Sequence, residues 1–441
     1  MKIKQLFEKI SHFFDHLFNA IYKWFRSIFD KYGFVIVLAL IATLSLALRY
    51  IIAPIPSHDL YAFIFPWLNN FRANGNLAYL GAMQGDYPPL YMILLALISY
   101  LPSGTLVESF EYQYFLNDIY YVKSLSFIFD FVIAFGVYSI VTHLYKENKG
   151  LRIVAFALPL LLPTVLTNSA FWGQCDAIYV GCIVWAVYFL IKEKPIWSSV
   201  FIGLAFAFKI QTIFIIPLFG FAWLRKKFPL RYFLLSFLVV FMTFIPCYIA
   251  GAPFIAPFAK YGNLTVQYMD PNYNSGSMYT FIQDIYQGKS QEMKKLVYEI
   301  IHTGGIIFTL VTAVTVWYTL HIKRVSSDPR ALLGVAALFA ILMPFVMPHM
   351  HERYFFMADI FILIYCLVNK KKYYLIILSQ LSSMITLMWY TYGSLMIDNW
   401  GVDTFKISTL INAFIIIILF KDILTLPNEK EESTSNEIIV Q

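Results

Sequence analysis

The sequence predicts an all-α, polytopic integral membrane protein with about twelve transmembrane helices. Of its 441 residues, 59% are hydrophobic and only 13% are charged, and no soluble core explains that composition. Apolar runs recur from Phe34 to Phe420, and many approach the length of about 20 residues that a spanning helix needs. Tyr and Trp are concentrated at the ends of these runs, which is typical of an interfacial aromatic belt.

Twelve apolar segments are candidate spans. They are residues 34–53, 119–145, 153–170, 177–191, 197–208, 212–224, 232–250, 300–320, 331–347, 354–368, 373–392 and 407–420. Residues 89–101 are also apolar but short, so we expect a re-entrant or interfacial helix there. Residues 197–224 are expected to form two short arms that break at Lys209-Ile-Gln211, because broken helices are tolerated where they line a cavity.

Lysine and arginine are clustered between these segments, and cytoplasmic loops carry an excess of both residue types. The clusters are Lys146/Lys149/Arg152, Lys192/Lys194, Arg225/Lys226/Lys227/Arg231, Lys323/Arg324/Arg330 and Lys370/Lys371/Lys372. With the spans above, all of them fall on the side of the N-terminus, which predicts a multi-pass plasma-membrane protein with a cytoplasmic N-terminus. The net charge of +7 then reflects topology and not a nucleic-acid partner.

The same pattern divides the chain into five parts. The N-terminal part has apolar residues at helical spacing flanked by basic ones, which predicts an amphipathic helix on the cytoplasmic face; a short coiled-coil arm is the alternative. Two transmembrane modules, an outer loop between them and a disordered acidic tail follow. The parts are residues 1–32, the catalytic module 33–250 (whose outer loop 54–118 contains an amphipathic helix), the outer loop 251–298, the C-terminal module 299–425 and the tail 426–441.

Six polar clusters, far apart in the sequence, fall on the opposite, outer side of the predicted bilayer. They are Ser57-His58-Asp59, Gly85-Asp86-Tyr87-Pro88-Pro89, Trp172-Gly-Gln174-Cys-Asp176, Lys209 with Gln211, the loop 251–298, and His349-Met-His351-Glu352-Arg353-Tyr354. A transporter would place such groups at mid-membrane and would often show two similar halves, and the sequence shows no internal repeat. Convergence on one face favours an active site at the outer interface.

Two carboxylates in the first outer loop are candidates for contact with a substrate. Asp59 follows the first span and precedes an amphipathic run, so it is either a general base held just above the bilayer or the N-cap of that run. Asp86 precedes Tyr87 and the pair Pro88-Pro89, so it either caps the next helix or binds sugar hydroxyls.

Further polar residues interrupt the next apolar segments. A tryptophan can stack on a sugar face, and glutamine and aspartate can pair with its hydroxyls. The alternative for Trp172 and Asp176 is an interfacial anchor and a helix cap, which leaves Gln174 without an explanation. Lys209 lies within an apolar run, where it either extends to the membrane surface or contacts a phosphate.

The block from His349 to Tyr354 places two imidazoles, a carboxylate and a guanidinium within six residues. His349 and His351 are two residues apart and do not share a helical face, and the His-Glu-x-x-His spacing of zinc hydrolases is absent. A phosphate clamp formed by Arg353 and oriented by Glu352 is energetically more favourable than a metal site. The sequence therefore predicts no cofactor, and a divalent metal at this block is the weaker alternative, which the spacing does not support.

These blocks resemble those of the GT-C superfamily of polyprenyl-phosphate-sugar-dependent glycosyltransferases. The blocks that carry the resemblance are His58-Asp59, Asp86-Tyr-Pro-Pro-Leu90, Trp172-Gly-Gln-x-Asp176, Lys209-x-Gln211 and His349-x-His-Glu-Arg353. Within the superfamily the chain is similar to bacterial proteins that resemble the second GPI mannosyltransferase. It also resembles the dolichyl-phosphate-glucose enzymes, which have Lys where this chain has Arg353. The resemblance runs from about Phe34 to Phe356.

The resemblance implies a GT-C-like bundle and an inverting transferase with Asp59 as its catalytic base. A hexose, mannose or glucose, would move from a polyprenyl monophosphate to a cell-envelope glycan or glycolipid acceptor at the outer face. The implied donor-phosphate contacts are Arg353, His351, His349 and Lys209. The implied sugar or acceptor contacts are His58, Asp86, Tyr87, Trp172, Gln174, Asp176, Gln211 and Glu352. A lipid-linked-sugar flippase, or an outer-face ligase with a diphosphate-linked donor, is the alternative.

Overall fold

The computed structural model describes residues 31–108, 113–266, 269–396 and 401–426, and most of them are helical. The amphipathic helix expected at residues 1–32 and the tail expected at 426–441 lie almost entirely outside the described residues. The α-helices are α1 (Lys31–Ile52), α2 (Phe65–Ala73), α3 (Pro89–Ile98), α4 (Leu116–Leu144), α5 (Lys149–Leu161), α6 (Pro163–Leu166), α7 (Asp176–Ile191), α8 (Pro195–Phe208), α9 (Ile216–Leu224), α10 (Phe233–Met242), α11 (Ile245–Ile249), α12 (Ala256–Val266), α13 (Thr280–Gln287), α14 (Gln291–Ile322), α15 (Pro329–Val346), α16 (Phe356–Asn369), α17 (Tyr374–Met396) and α18 (Gly401–Leu424).

Shorter elements connect these helices. Two π-helical segments (Leu60–Ile64 and Thr167–Trp172) lead into α2 and out of α6, and 3₁₀ segments cover Asn76–Ala82, Ile210–Ile215 and Leu230–Tyr232. Strands β1 (Leu106–Glu108) and β2 (Gln113–Phe115) pair antiparallel. Strands β3 (Asn272–Tyr273) and β4 (Met350–His351) pair parallel.

The lengths of the apolar helices indicate a multi-pass membrane protein but not twelve full spans. Among the described residues, six helices are long and apolar enough to cross a membrane, and the bent pair of α5 and α6 makes a seventh. The other five predicted spans are present as shorter apolar helices, in α7, α8, α9, α16 and α17. The predicted segments are therefore helical, but many fall short of the ~20 residues that a spanning helix needs.

Two groups of helices pack around a buried centre. Helices α4, α5, α7, α8 and α10 contact one another in one group, and α15, α16, α17 and α18 form the second. Contacts of α15 with α7 and α9, and of α16 with α4 and α5, join the two groups. Both α15 and α16 are buried along nearly their whole length, as expected of a helix that is apolar on every side.

The loop between α1 and α4 is folded back on the bundle. Its predicted amphipathic helix is present as the π-helical turn and α2, which bury Phe65, Leu68 and Phe71. The guanidinium of Arg72 donates two hydrogen bonds of 2.6 and 2.7 Å to the Asp118 carboxylate at the start of α4. This bidentate pair holds the loop against the membrane helices.

Three local features of the backbone, two at helix ends and one a strand pairing, bring polar side chains to one place. The predicted break at Lys209 is present, because α8 ends at Phe208 and Lys209 is extended at φ −157° and ψ 133°. The π-helical segment after α6 ends at Gly173 with φ 79°, a left-handed conformation that favours glycine. Pairing of β3 with β4 attaches the segment 251–298 to the loop between α15 and α16.

Candidate active site

Asp59 and Gln174 meet where the loop after α1 approaches the end of the π-helical segment. The Gln174 side-chain amide donates a hydrogen bond to Asp59 Oδ2. The Tyr87 hydroxyl donates to Gln174 Oε1 over 3.0 Å, so a single amide connects the loops that carry Asp59 and Asp86. Asp59 occupies the position before the helical turn but makes no side-chain cap hydrogen bond. The N-cap alternative therefore does not describe this carboxylate.

Lys209 reaches its place because α8 ends one residue earlier. Its ammonium pairs with Oδ1 of Asp176, the first residue of α7, and Asn168 donates to Oδ2 of the same carboxylate over 2.9 Å. The ammonium also lies 5.8 Å from the ring centre of Tyr354. Lys209 is therefore buried and paired at the site, and it does not extend to the membrane surface.

Arg353 lies at the centre of the charged groups. Its Nη1 is 3.1 Å from Glu352 Oε1 and 3.8 Å from Asp59 Oδ2, and its Nε is 4.0 Å from Asp176 Oδ2. The guanidinium lies over the Trp172 ring, with its carbon 5.3 Å from the ring centre, a favourable cation–π geometry. The turn between α15 and α16 thus brings one cation into contact with two distant loops.

These groups surround a cavity of about 300 Å³. The polar side chains that line it come from five separate segments of the chain. They are Asp59, Asp86, Tyr87, Gln174, Lys209, Gln211, His351, Glu352 and Arg353. Residues Leu60, Phe63, Ile64, Trp67 and Tyr91 form an apolar wall on another side. The cavity therefore offers charged groups and an apolar surface to the same ligand.

Nine of the thirteen predicted site residues line this cavity, and four do not. His58 is exposed and points elsewhere. Trp172 is fully buried beneath Arg353, so its ring has no face for a sugar. Asp176 is fully buried and serves as the counter-ion of Lys209. His349 has a φ of 63° and bonds instead to the Asp270 carbonyl over 2.7 Å.

The predicted phosphate contact of His349 has no support from the cavity, because His349 does not line it. Its other ring nitrogen lies 3.3 Å from the ring of His302 on α14. Burial, the largest cause, and the neighbouring His302 lower the pKa of His349, although its bond to the Asp270 carbonyl opposes that shift. His349 anchors the turn to the segment 251–298 instead of facing the cavity.

Asp86 does not cap the helix that follows it. The cap position of α3 is Pro88, and no side chain caps this helix. The Asp86 side chain lines the cavity, and Lys260 of α12 donates to the neighbouring Gly85 carbonyl. The structure thus leaves this carboxylate available to a ligand.

Several residues that shape the site were not predicted. Phe63 and Trp67 belong to the amphipathic run that follows Asp59, and they line the apolar wall of the cavity. Lys123 of α4 is fully buried near the site and bonds only to backbone carbonyls. In the amino-acid sequence, Lys123 stands out only as a single lysine within the apolar run of α4.

Burial sets the charge states of the residues in the turn. The pKa of His351 lies well below its ordinary value because the ring is buried and faces Arg353 and Lys209, so at neutral pH this imidazole is uncharged. His351 lines the cavity, and its contact with a donor phosphate stays a prediction. Burial raises the pKa of Glu352 to about 7, although the Arg353 guanidinium opposes the shift.

Clusters of possible metal ligands are absent among the described residues. In that part of the chain, no group of three or more His, Cys, Asp or Glu side chains is placed to hold a metal ion. The positive charge at the cavity comes from the side chains of Lys209 and Arg353.

The fold and the family comparison define a multi-pass membrane glycosyltransferase of the GT-C type. The chain belongs to glycosyltransferase family 87, whose model matches residues 86–348. The match includes Asp86, Gln174 and Lys209 and ends just before the turn that carries Arg353. It defines the reaction class, a glycosyl transfer, and not the donor, the sugar or the acceptor. No curated protein matches the chain.

The raised pKa of Glu352 predicts how stability depends on pH. Between about pH 4.5, its ordinary value, and about pH 7, the folded protein binds more protons than the unfolded chain, so stability falls as the pH rises through this window. We compare the free energy of unfolding of the wild type with that of Glu352→Gln. The wild-type value, relative to that of the variant, should fall by on the order of 3 kcal/mol between pH 5 and pH 8. Thermal unfolding of both proteins in detergent at each pH measures this difference.

The matched control is Glu193→Gln, because the Glu193 side chain is 65% exposed beside Lys227. Its unfolding temperature should follow that of the wild type at both pH values. A constant difference between wild type and Glu352→Gln across this window would contradict the assignment of Glu352.

Proposed function

We propose that this protein moves a hexose, mannose or glucose, from a polyprenyl monophosphate to an acceptor hydroxyl, with inversion at the anomeric carbon. The observation that carries the proposal is the approach of Asp59 to Arg353, 3.8 Å apart at one cavity that also has an apolar wall. A carboxylate can accept the acceptor's proton, and a guanidinium can hold a phosphate. These are the two groups that such a transfer needs.

Asp59 serves as the general base. Its carboxylate is held by Gln174, and the amide of Gln174 is in turn oriented by the Tyr87 hydroxyl. As the acceptor oxygen attacks the anomeric carbon, its proton passes to Asp59, and the bond from that carbon to the phosphate oxygen breaks. A positioned base of this kind typically contributes ~10²–10⁴-fold to the rate.

Arg353 and Lys209 stabilise the departing lipid phosphate. A phosphate monoester is a good leaving group and needs no general acid, but it needs positive charge as the bond breaks. His351 is uncharged at neutral pH because its pKa is lowered by burial and by the two neighbouring cations, so it acts only as a hydrogen-bond partner. The planar fork of Arg353 suits the phosphate oxygens.

Arg353 lies 3.8 Å from Asp59, so a donor phosphate that binds the guanidinium competes with this contact. A phosphate that pairs with the guanidinium weakens its contact with the Asp59 carboxylate, which stays hydrogen-bonded to Gln174. We therefore expect the donor to bind before the acceptor. The apolar wall of Leu60, Phe63, Ile64 and Trp67 gives the first isoprenoid units a surface beside the phosphate.

The distribution of lysine and arginine supports one face of the membrane for the active site. The clusters at Lys192/Lys194 and Arg225/Lys226/Lys227 lie at the ends of α7 and α9 that are remote from the cavity. Under the positive-inside rule those ends are cytoplasmic, which supports an active site at the outer face and an acceptor in the cell envelope.

A panel of labelled donors tests the proposal most directly. Purified protein should transfer sugar from a polyprenyl monophosphate donor, with the product anomer inverted, and not from a nucleotide sugar or a polyprenyl diphosphate donor. Transfer from the diphosphate alone would indicate the ligase alternative. Movement of the lipid across vesicles without any new glycosidic product would indicate a flippase.

Replacement of the base should abolish turnover and spare the fold. Asp59→Asn retains a partner for Gln174 but cannot take a proton, so we expect kcat to fall by ~10³-fold with unchanged thermal stability. His58→Ala, an exposed neighbour outside the cavity, is the matched control and should stay within threefold of wild type. Wild-type turnover by Asp59→Asn would remove Asp59 from the mechanism.

Replacement of the phosphate clamp should act on the donor. Arg353→Ala removes the only guanidinium that lines the cavity in the described chain, and we expect kcat/KM for the donor to fall by ~10²–10³-fold. Arg353→Lys restores the charge without the fork and should recover part of this loss. An effect confined to the KM of the acceptor would contradict the assignment.

A further inference from the structure

Lys123 is a buried lysine whose side-chain hydrogen bonds among the described residues all go to backbone carbonyls. Its side chain is fully buried in α4, and its ammonium lies 2.9 Å from Ala53 O, 2.6 Å from Ile55 O, 2.9 Å from Ala170 O and 2.8 Å from Phe171 O. Among the described residues, no carboxylate lies within ion-pair distance of it. A buried charge of this kind is costly unless polar groups surround it.

The four carbonyls belong to the C-terminal ends of two helices. Two follow α1, which ends at Ile52, and two belong to the last turn of Thr167–Trp172. Carbonyls at a helix C-terminus lack intrahelical donors and carry the negative end of the helix dipole. One ammonium with three N–H donors therefore satisfies both helix ends at once.

The same two chain ends lead directly into the site. Asp59 follows Ile55 by four residues, and Gln174 follows Phe171 by three. Two further bonds join this region, from Ser57 Oγ to the Trp172 carbonyl at 2.6 Å and from Ser126 Oγ to the Gln174 carbonyl at 2.5 Å. Ser126 is one turn after Lys123 on α4, so this face of α4 holds both segments.

The stem of Lys123 also packs directly under the turn that carries Gln174. A Cβ added at Gly173 would lie 3.1 Å from Lys123 Cγ, which leaves no space between the two. The left-handed turn at Gly173 therefore rests on the lysine. Both the ammonium and the stem fix the place of Gln174 relative to Asp59.

We infer that Lys123 is a positioning residue, which holds the two loops so that Asp59 and Gln174 meet at the cavity. The inference rests on the proposed function, because it assigns Lys123 a role in catalysis through the base. A displacement of ~1 Å in a catalytic group can cost ~10²-fold in rate. Lys123 itself touches no substrate, since it does not line the cavity.

A double-mutant cycle separates this role from a general effect on folding. Lys123→Met keeps the length of the side chain and removes the charge, and Gln174→Ala removes the amide that it positions. Each single change should lower kcat by ~10–10²-fold, and the double variant should stay within threefold of the slower single variant, because both disturb the same contact. The KM for the polyprenyl monophosphate donor should change less than kcat in each case.

The matched control is the pair Arg49 and Asp130, a fully buried ion pair with Nε and Oδ2 2.8 Å apart, in which Asp130 lies on the same helix as Lys123. The double change Arg49→Met with Asp130→Asn should lower the unfolding temperature and leave kcat within threefold of wild type. Loss of a buried charge in this bundle is then not sufficient to slow turnover.

Two results would overturn the inference: a wild-type kcat in Lys123→Met, or a double variant slowed by the product of the two single effects. If Lys123→Met does not insert, the same cycle with Ser57→Ala removes the bond to the Trp172 carbonyl and is read by the same two criteria. Full activity of Asp59→Asn would instead contradict the proposed role of Asp59 as the base. That result is distinct from a failure of the double-mutant cycle, which concerns only Lys123.

Discussion

The guanidinium of Arg353 is the charge around which the cavity is arranged. Its side chain is only 12% exposed, and a largely buried cation persists only where counter-charges and hydrogen-bond acceptors surround it. Glu352, Asp59 and Asp176 approach it within 3.1, 3.8 and 4.0 Å, and each of these carboxylates comes from a different part of the chain. The loop after α1, the start of α7 and the turn before α16 must therefore meet for the bundle to close around this charge. Stability of the centre and assembly of the site depend on the same contacts.

Irregular backbone makes this meeting possible. A continuous helix through residue 209 would carry Lys209 along the helix axis, whereas the end of α8 at Phe208 and the extended Lys209 direct its ammonium to Asp176. Gly173 plays the same part after α6, and its left-handed φ of 79° turns the chain so that Gln174 faces Asp59. Non-helical backbone at membrane depth is tolerated where protein or a cavity covers it. The helices thus break where polar groups of the site can hydrogen-bond to the backbone groups that the breaks expose.

The sequence predicted much of this site because its polar residues stand out against an apolar chain. Convergence of the clusters on one membrane face followed from the lysine and arginine in the loops, and Asp59, Gln174 and Arg353 do meet. The distribution of charge could not predict how the individual side chains within each cluster are oriented. Trp172 and Asp176 flank Gln174 in sequence yet lie beneath the cavity, and the φ of 63° at His349 turns its ring away from that of His351. Lys123 was missed for a different reason: its partners are backbone carbonyls, which no pattern of side chains records. The sequence also did not predict the helix lengths: among the described residues six helices are long and apolar enough to cross a membrane, and five predicted spans are shorter apolar helices.

The balance of charge at the cavity links proton uptake to the binding of an anion. The carboxyl groups of Asp59, Asp86 and Glu352 and the cationic side chains of Lys209 and Arg353 line the cavity, and the buried Asp176 pairs with Lys209. Protonation of Glu352, whose pKa lies at about 7, removes one negative charge from this set. An anion that enters beside Arg353 adds negative charge, so it binds more favourably when Glu352 is protonated and raises the pKa of that carboxyl in turn. A single buried glutamate thereby couples the affinity of the cavity for an anionic ligand to pH.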